Sequence, residues 1–423
     1  MFGLAERRND PAPALWEPAS RTALSHAQLY SRVMERAERL PRNKALILLG
    51  FAPDIDSVVT YLAALEMGHA VMPLPPDLAP DKLARLVELY QPKGEASPIH
   101  ADLALLLSTS GSTGSPKMVR LSRAAVAANA GQIVQALGLT AAERAPTSLP
   151  LSYSYGLSVL NSHLAAGASV ILTAEGLLSR QLWQDLAEHG ATSFAGVPAS
   201  YDMLRRLDLE SMFPPSLMTL TQAGGAMAPA LTARLHDFIT KRGGRLFVMY
   251  GQTEACARMA VLPPDHLPRC LGAAGLALAG GQFSVEEGRI RYDGPNVMMG
   301  YAQCRADLAL GDQLGGRLDT GDLGRLDDHG VLWITGRIKR LAKLGGLRIN
   351  LDEVEALAAR FGPAAVTDGG ETLVVSLAGA LPDAEQRRIF AQSLSLHSSQ
   401  IRWQAVESLP LTANGKIDYG ALA

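Results

Sequence analysis

The densest chemistry in this 423-residue chain sits in one stretch, Leu107-Ser-Thr-Ser-Gly-Ser-Thr-Gly-Ser-Pro-Lys117. The hydroxyls of Thr109, Ser110, Ser112 and Thr113, the glycines Gly111 and Gly114, and the ammonium of Lys117 all follow a short apolar run. Glycines let backbone N–H groups turn inward to form an anion-binding nest, and hydroxyls add donors. The lysine adds a point charge. Such a set suits a polyphosphate. The spacing is G-x-x-G-x-P-K with no Ser or Thr after the lysine, so it is not a Walker A loop. Pro116 and the β-like Met118-Val-Arg-Leu121 predict that a strand follows the loop, where a kinase-like phosphotransferase would need a helix. At this point a plain Ser/Gly linker is the alternative.

Further motifs follow in a fixed order: Ala223-Gly-Gly-Ala-Met227, Tyr250-Gly-Gln-Thr-Glu-Ala255, Asp319-Thr-Gly-Asp322, Gly336-Arg337, Lys343-Leu-Gly-Gly346-Leu-Arg348-Ile349, Glu353-Val-Glu355, and Pro410-Leu-Thr-Ala-Asn-Gly-Lys416-Ile417. Together with the loop they resemble the signature set of the acyl-adenylate-forming superfamily. That group holds the acyl- and aryl-CoA synthetases, the adenylation domains of peptide synthetases and the luciferases. The resemblance spans most of the chain. It implies ATP-dependent activation of a carboxylic acid to an acyl-AMP, with pyrophosphate release. Transfer to a thiol follows, either of CoA or of the phosphopantetheine arm of a carrier protein supplied in trans.

Activation brings one anion to the α-phosphate of another, so the site must neutralise charge and hold the reactants in line. By the resemblance, Thr109, Ser110, Gly111, Ser112, Thr113, Gly114 and Lys117 grip the phosphates. Glu254 holds Mg²⁺, Thr253 donates to phosphate, and Tyr250, Gly251 and Gln252 stand with Gly224, Gly225 and Ala226 around the adenosine. Asp322 accepts from the ribose hydroxyls, Arg337 is the second ribose contact, and Asp319 is a turn residue. Lys416 bridges the attacking carboxylate and the α-phosphate, presented by a tight turn at Asn414-Gly415. Lys339 takes the hinge position about which a small domain turns between the two half-reactions. Retention of Glu254, Asp322, Arg337 and Lys416 together argues against a non-catalytic acyl- or nucleotide-binding relative.

The acid-binding side departs from the family pattern. Pro150-Leu-Ser-Tyr-Ser-Tyr-Gly156 resembles a segment in which a histidine stands where this chain has Tyr153. Tyrosine can hydrogen-bond there but cannot become a cation near neutral pH. No acidic residue occurs from Pro150 to Ala166. A buried ammonium would lack a counter-ion, which disfavours an α-amino acid and favours an acyl or aryl acid. Tyr153, Tyr155, Gly156, Val197 and Gly225 are the expected pocket lining. The chain is also shorter than the family's usual length, with the shortage before the phosphate loop and in the C-terminal domain.

The elements that must position these residues follow from periodicity. Ser25 with Gln28 predicts a capping box, and Leu29, Val33 and Ala37 recur at helical spacing behind it. The strand at Ala45–Leu49, the helix at Asp54–Met67 and the strand at Ala70–Met72 predict a βαβ unit, with further strands at Leu103–Leu107, Ala168–Leu172 and Leu246–Met249. Short strands and Gly/Asp turns from Gly288 to Ile334 predict a small β-rich subdomain, and Leu373–Ser376 with Asp383–Ala391 a small α+β domain. The expected fold class is α/β, divided into residues 1–336 and a mobile 337–423.

A net charge of −2 supplies no basic field for nucleic acid or anionic lipid. No apolar run approaches the roughly 18 residues of a membrane span. Three scattered cysteines form neither a disulfide framework nor a metal site, so a reducing cytoplasm is the expected home.

Overall fold

The computed structural model describes residues 1–92, 98–108, 117–205, 208–344, 347–394, 396–412 and 416–422. Its contacts divide the chain into two compact units. Among the described residues the first takes in 1–108, 117–283 and 292–318, and the second 284–291 and 319–422. The architecture is α/β throughout, as expected.

Local signals in the first unit act as predicted. Ser25 and Gln28 exchange side chain-to-backbone bonds of 2.9 and 3.1 Å, opening the helix His26–Ala37. Asp54 caps the helix Ile55–Glu66, and Gly68 ends the segment with a φ of +78° that a side chain would resist. That helix connects the parallel strands Leu46–Gly50 and Ala70–Leu74, the expected βαβ unit.

The sheet that receives them is mixed. Leu103–Ser108 continues the parallel set, but Met118–Ser122 lies antiparallel to it, with Gly300–Ala302 antiparallel at the edge. The phosphate-loop stretch returns the chain directly beside the strand it left, and so short a return admits only an antiparallel neighbour. A second five-stranded sheet repeats the pattern. Ser193–Gly196, Thr219–Gln222 and Arg245–Tyr250 are parallel, and Ala260–Leu262 and Leu276–Ala277 reverse. A third sheet combines Thr22–Ser25, Pro13–Glu17, Ser169–Ile171 and Arg144–Pro146. Three of the motifs begin where parallel strands end, after Ser108, Gln222 and Tyr250. In α/β sheets ligands gather at those carboxyl ends.

Most residues of the four-stranded sheet Gln282–Glu286, Arg289–Asp293, Arg317–Leu326 and Leu332–Arg337 belong to the second unit. It continues into the hairpin Leu341–Leu344 with Leu347–Asn350, the helix Leu351–Ala358, and a three-stranded sheet of Ala364–Asp368, Leu373–Ala378 and Ile401–Val406. The helix Ala384–Ser393 opens on a capping box at Asp383. Phe390, Val366, Val375, Leu377 and Val354 fill its core, with Trp403 packed at the edge. The sequence reading divided the chain after residue 336, whereas the contacts divide it after 318. Asn350 donates to the Thr335 carbonyl at 2.9 Å, and Gly336 lies so close to Asn350 that a Cβ would fall 2.2 Å from its amide nitrogen. Residue 336 is thereby packed into the second unit.

Candidate active site

The strands flanking the phosphate loop are in register at Ser108↔Met118 and Leu107↔Val119. Thr109, Ser110, Gly111, Ser112, Thr113 and Gly114 lie outside the described residues. Lys117, at the end of the loop, is exposed, and its Nζ stands 3.4 Å from the centroid of the Tyr301 ring. The Tyr301 hydroxyl donates to Glu254 Oε1 at 3.0 Å. One aromatic side chain thus joins the expected phosphate-loop cation to the expected metal-binding carboxylate. Burial, then the Glu254 charge, push the Tyr301 hydroxyl well above the ordinary tyrosine range, so it remains a donor.

Tyr301 was not among the residues expected from sequence. Its place depends on Gly300–Ala302 pairing with Met118–Ser122, a contact far apart in the chain. Arg120 fixes that pairing: fully buried, it donates to the carbonyls of Met299, Tyr301, Leu310 and Gly311 and, at 2.8 Å, to Gln313 Oε1.

Glu254 sits in a tight return between the strands Arg245–Tyr250 and Ala260–Leu262. Gly251 packs so closely that a Cβ there would fall 1.8 Å from the Ala257 carbonyl oxygen. Cys256 and Ala257, neither a glycine, take φ values of +54° and +97° to complete the return. Within it Thr253 Oγ1 lies 3.2 Å from Ser154 Oγ at the start of the helix Ser154–Ala166, and the Glu254 carbonyl accepts from Met298 N at 2.8 Å. Gln252 Nε2 donates to the Tyr250 hydroxyl at 3.3 Å, and the Tyr250 ring lies 6.2 Å from that of Phe283.

On the acid side, Gly224 has a φ of +85°, and a Cβ there would meet the Tyr153 hydroxyl at 2.7 Å and Val197 Cγ1 at 3.1 Å. Tyr153, Val197 and the glycine segment therefore converge. Burial pushes the Tyr153 hydroxyl up to about 12, which keeps it neutral. Gly225 and Ala226 are exposed beside it, with the Gly225 carbonyl accepting from Gln222 Nε2 at 2.8 Å. Tyr155 points into the core instead. Its hydroxyl is within 3.0 Å of the Thr221 carbonyl and 2.9 Å of Thr221 Oγ1. Gly156 is turned toward its own preceding segment, where a Cβ would fall 2.3 Å from the Pro150 carbonyl oxygen.

In the second unit Asp322 and Arg337 are cross-strand partners, with Arg337 Nε 3.1 Å from Asp322 Oδ1. Asp322 is almost fully buried while Arg337 is more than half exposed. Asp319 caps the turn before them by accepting from Gly321 N at 3.1 Å. Lys339 is exposed in the short turn Ile338–Arg340. Its neighbour Arg340 donates to Asp352 at 2.5 Å, to Glu355 at 2.8 Å and to the Val366 carbonyl, and covers the Tyr419 ring at 3.8 Å. Lys416 leaves a short stem closed by Thr412 N to Lys416 O at 2.7 Å and by the bridge Leu411↔Ile417. The expected Asn414-Gly415 turn lies outside the described residues.

Among the described residues no three His, Cys, Asp or Glu side chains cluster as a dedicated metal cage would require. The lone, tyrosine-anchored carboxylate of Glu254 fits Mg²⁺, which takes one or two carboxylates and fills its sphere with phosphate oxygens and water.

Residues 87–302, half of the chain, match the family model described as AMP-binding enzyme. The chain belongs to the AMP-binding enzyme family. Among relatives of this AMP-binding enzyme, an oxalate–CoA ligase of Arabidopsis thaliana is 30% identical over 345 residues, covering 75% of this chain and 66% of that one. A 2-succinylbenzoate–CoA ligase of Bacillus subtilis is 31% identical over 264 residues, covering 60% and 53%. The matched part thus spans between about half and two thirds of the curated relatives' length. The solved O-succinylbenzoate coenzyme A synthetase of Bacillus subtilis, in complex with ATP and magnesium ion, superposes with a TM-score of 0.79 at 22% identity, covering 98% of each chain. That likeness establishes a shared fold. Among the described residues of the AMP-binding enzyme no helix is long and apolar enough to cross a membrane.

Proposed function

We propose that this AMP-binding enzyme activates a carboxylic acid with ATP and passes the acyl group to the thiol of CoA. A carboxylate oxygen attacks the α-phosphorus, the bond to the bridging α–β oxygen breaks, and pyrophosphate leaves. The thiol sulfur then attacks the acyl carbon, AMP departs with the electron pair of the C–O bond, and the thiol proton passes to solvent.

The observation that carries this reading is the sharing of Tyr301 by Lys117 and Glu254. A cation for the phosphates and an oxygen ligand for their counter-ion are held to one another before substrate arrives, which limits reorganisation during reaction. Magnesium, when bound, neutralises charge on the phosphates. Thr253 donates to a phosphate oxygen, and the Asp322–Arg337 pair receives the ribose hydroxyls. Lys416 meets the attacking carboxylate and the α-phosphate, and rotation of the C-terminal segment about Lys339 withdraws it before thiol transfer. Tyr153, Val197 and Gly224 orient the acid. The names of the relatives, CoA ligases for oxalate and for 2-succinylbenzoate, support the acceptor and a non-amino acid substrate.

The test is acid-dependent exchange of labelled pyrophosphate into ATP across a carboxylate library, read with and without CoA, and with a phosphopantetheinylated carrier protein as the second acceptor. Exchange with an acid, and thioester on adding CoA, is the expected result. Lys416→Ala should suppress exchange while thioester formation from supplied acyl-AMP survives. Intact, ATP-binding protein that exchanges with no acid would defeat the proposal.

A further inference from the structure

Arg258 is 2% exposed, and its Nε and Nη1 atoms have no hydrogen-bond partner. No ion pair forms at it among the described residues, where the ionisable groups that act with it are the Tyr155 phenol and the His163 imidazole, neither of them a carboxylate. Its Cζ lies 4.9 Å from the Tyr155 ring centroid. A guanidinium presents a planar fork of donors, and buried charges are otherwise paired. A buried arginine with two idle donors and no carboxylate is therefore half of an ion pair whose other half comes from outside the chain.

Its surroundings indicate which molecule brings that half. Tyr155 and Tyr153 form an edge-on pair with centroids 6.4 Å apart. Tyr153 in turn lies against Gly224 and Val197, where the acid is proposed to bind. Tyr155 cannot swing away, because its hydroxyl is held by Thr221. The backbone of Arg258 is held as well: its carbonyl accepts from Asn129 Nδ2 at 2.8 Å and Asn296 Nδ2 at 2.9 Å, and the left-handed residues Cys256 and Ala257 immediately precede it. Arg258 and Glu254 lie on the same return, the guanidinium beside the Tyr155 ring and the Glu254 carboxylate beside the Tyr301 hydroxyl.

We propose that Arg258 is a specificity-determining residue that receives a second carboxylate of the acid substrate, so that the enzyme selects dicarboxylic acids. This rests on the acid-activating reading given above. The carboxylate to be activated stays free to reach ATP, while the other docks on the Nε–Nη1 edge of Arg258. A cationic substrate is repelled from the same place. A monocarboxylic acid of equal size leaves the guanidinium unpaired, and sites built for a polar partner reject analogues that lack it.

The experiment compares the full-length chain on matched acids, aliphatic and aromatic diacids each paired with the monoacid in which one carboxylate is replaced by a methyl group. Pyrophosphate exchange should favour at least one diacid over its partner by about 100-fold or more in kcat/KM. Arg258→Met should erase that ratio chiefly through the KM of the diacid, and Arg258→Lys should restore part of it. Equal turnover of each pair by the unaltered enzyme, or an undiminished preference in Arg258→Met, would overturn the inference. Should Arg258→Met fail to fold, as judged by circular dichroism, the matched-pair ratio of the unaltered enzyme decides alone. Absence of exchange with every acid would instead remove the activation reading. Calorimetric titration with the same pairs then decides the recognition step: tighter binding of a diacid than of its partner upholds the role of Arg258, and equal or absent binding overturns it.

Discussion

The Tyr301 hydroxyl donates to Glu254 Oε1 across 3.0 Å, and the same ring lies 3.4 Å from Lys117 Nζ. Removing the hydroxyl alone separates its two duties. A hydrogen bond to a charged group contributes about 1.5–3 kcal/mol. Tyr301→Phe is therefore expected to lower kcat/KM for magnesium-ATP by about 10-fold or more and to raise the Mg²⁺ concentration needed for half-maximal exchange. Tyr301→Leu, which also loses the cation–π contact, should fall further. Titrating Mg²⁺ in the exchange assay checks both, and two variants behaving as the unaltered enzyme would show the relay to be idle.

Gly224→Ala meets two separate obstacles. A Cβ would lie 2.7 Å from the Tyr153 hydroxyl, and φ at this position is +85°. The contact should raise the KM for the acid, and the backbone strain should lower stability by about 1–2 kcal/mol. Adding Tyr153→Phe relieves only the contact. The double variant should recover KM while its Tm stays depressed.

His163 supplies a pH test. Burial lowers its pKa from 6.5 to about 4, with the charge of Arg258 a lesser contributor. A histidine whose folded pKa is depressed contributes stability that is fully present above about 6.5 and is lost as pH falls from there through about 4. The first unit should lose up to about 3 kcal/mol across that window. Denaturant melts at successive pH values should show the decline, and His163→Gln should flatten it.

Arg340 holds the second unit together by bonding Asp352, Glu355 and the Val366 carbonyl while stacking on Tyr419. Deleting one partner of a buried charged cluster strands the others, at a cost of about 3–5 kcal/mol. Arg340→Met should produce a lower urea midpoint for residues of the second unit, followed by hydrogen exchange. Glu355→Gln in the same chain should return part of the loss.

Sequence reasoning read most of what depends on neighbours along the chain. The capping box at Ser25, the helix from Asp383 and the strand after the phosphate loop are each marked by residue type and short spacing. It missed what depends on distant pairing. Tyr301 reaches Glu254 only through an edge strand held by Arg120, and Arg258 gains its meaning only when buried against Tyr155. Tyr155 and Gly156 look like pocket lining in a Tyr-x-Tyr-Gly string, yet the helix they begin turns one into the core and packs the other on Pro150. The contacts group residues 284–291 with the strands after 318, a long-range association invisible to composition.

The close packing of Gly251 against the Ala257 carbonyl keeps positions 254 and 258 on one stiff loop. On the role proposed for Arg258, exchanging its side chain redirects which acid is admitted while Glu254 keeps its bond to Tyr301. A larger residue at 251 would shift both at once. A laboratory search for altered substrate range would thus begin at 258 and leave 251 unchanged.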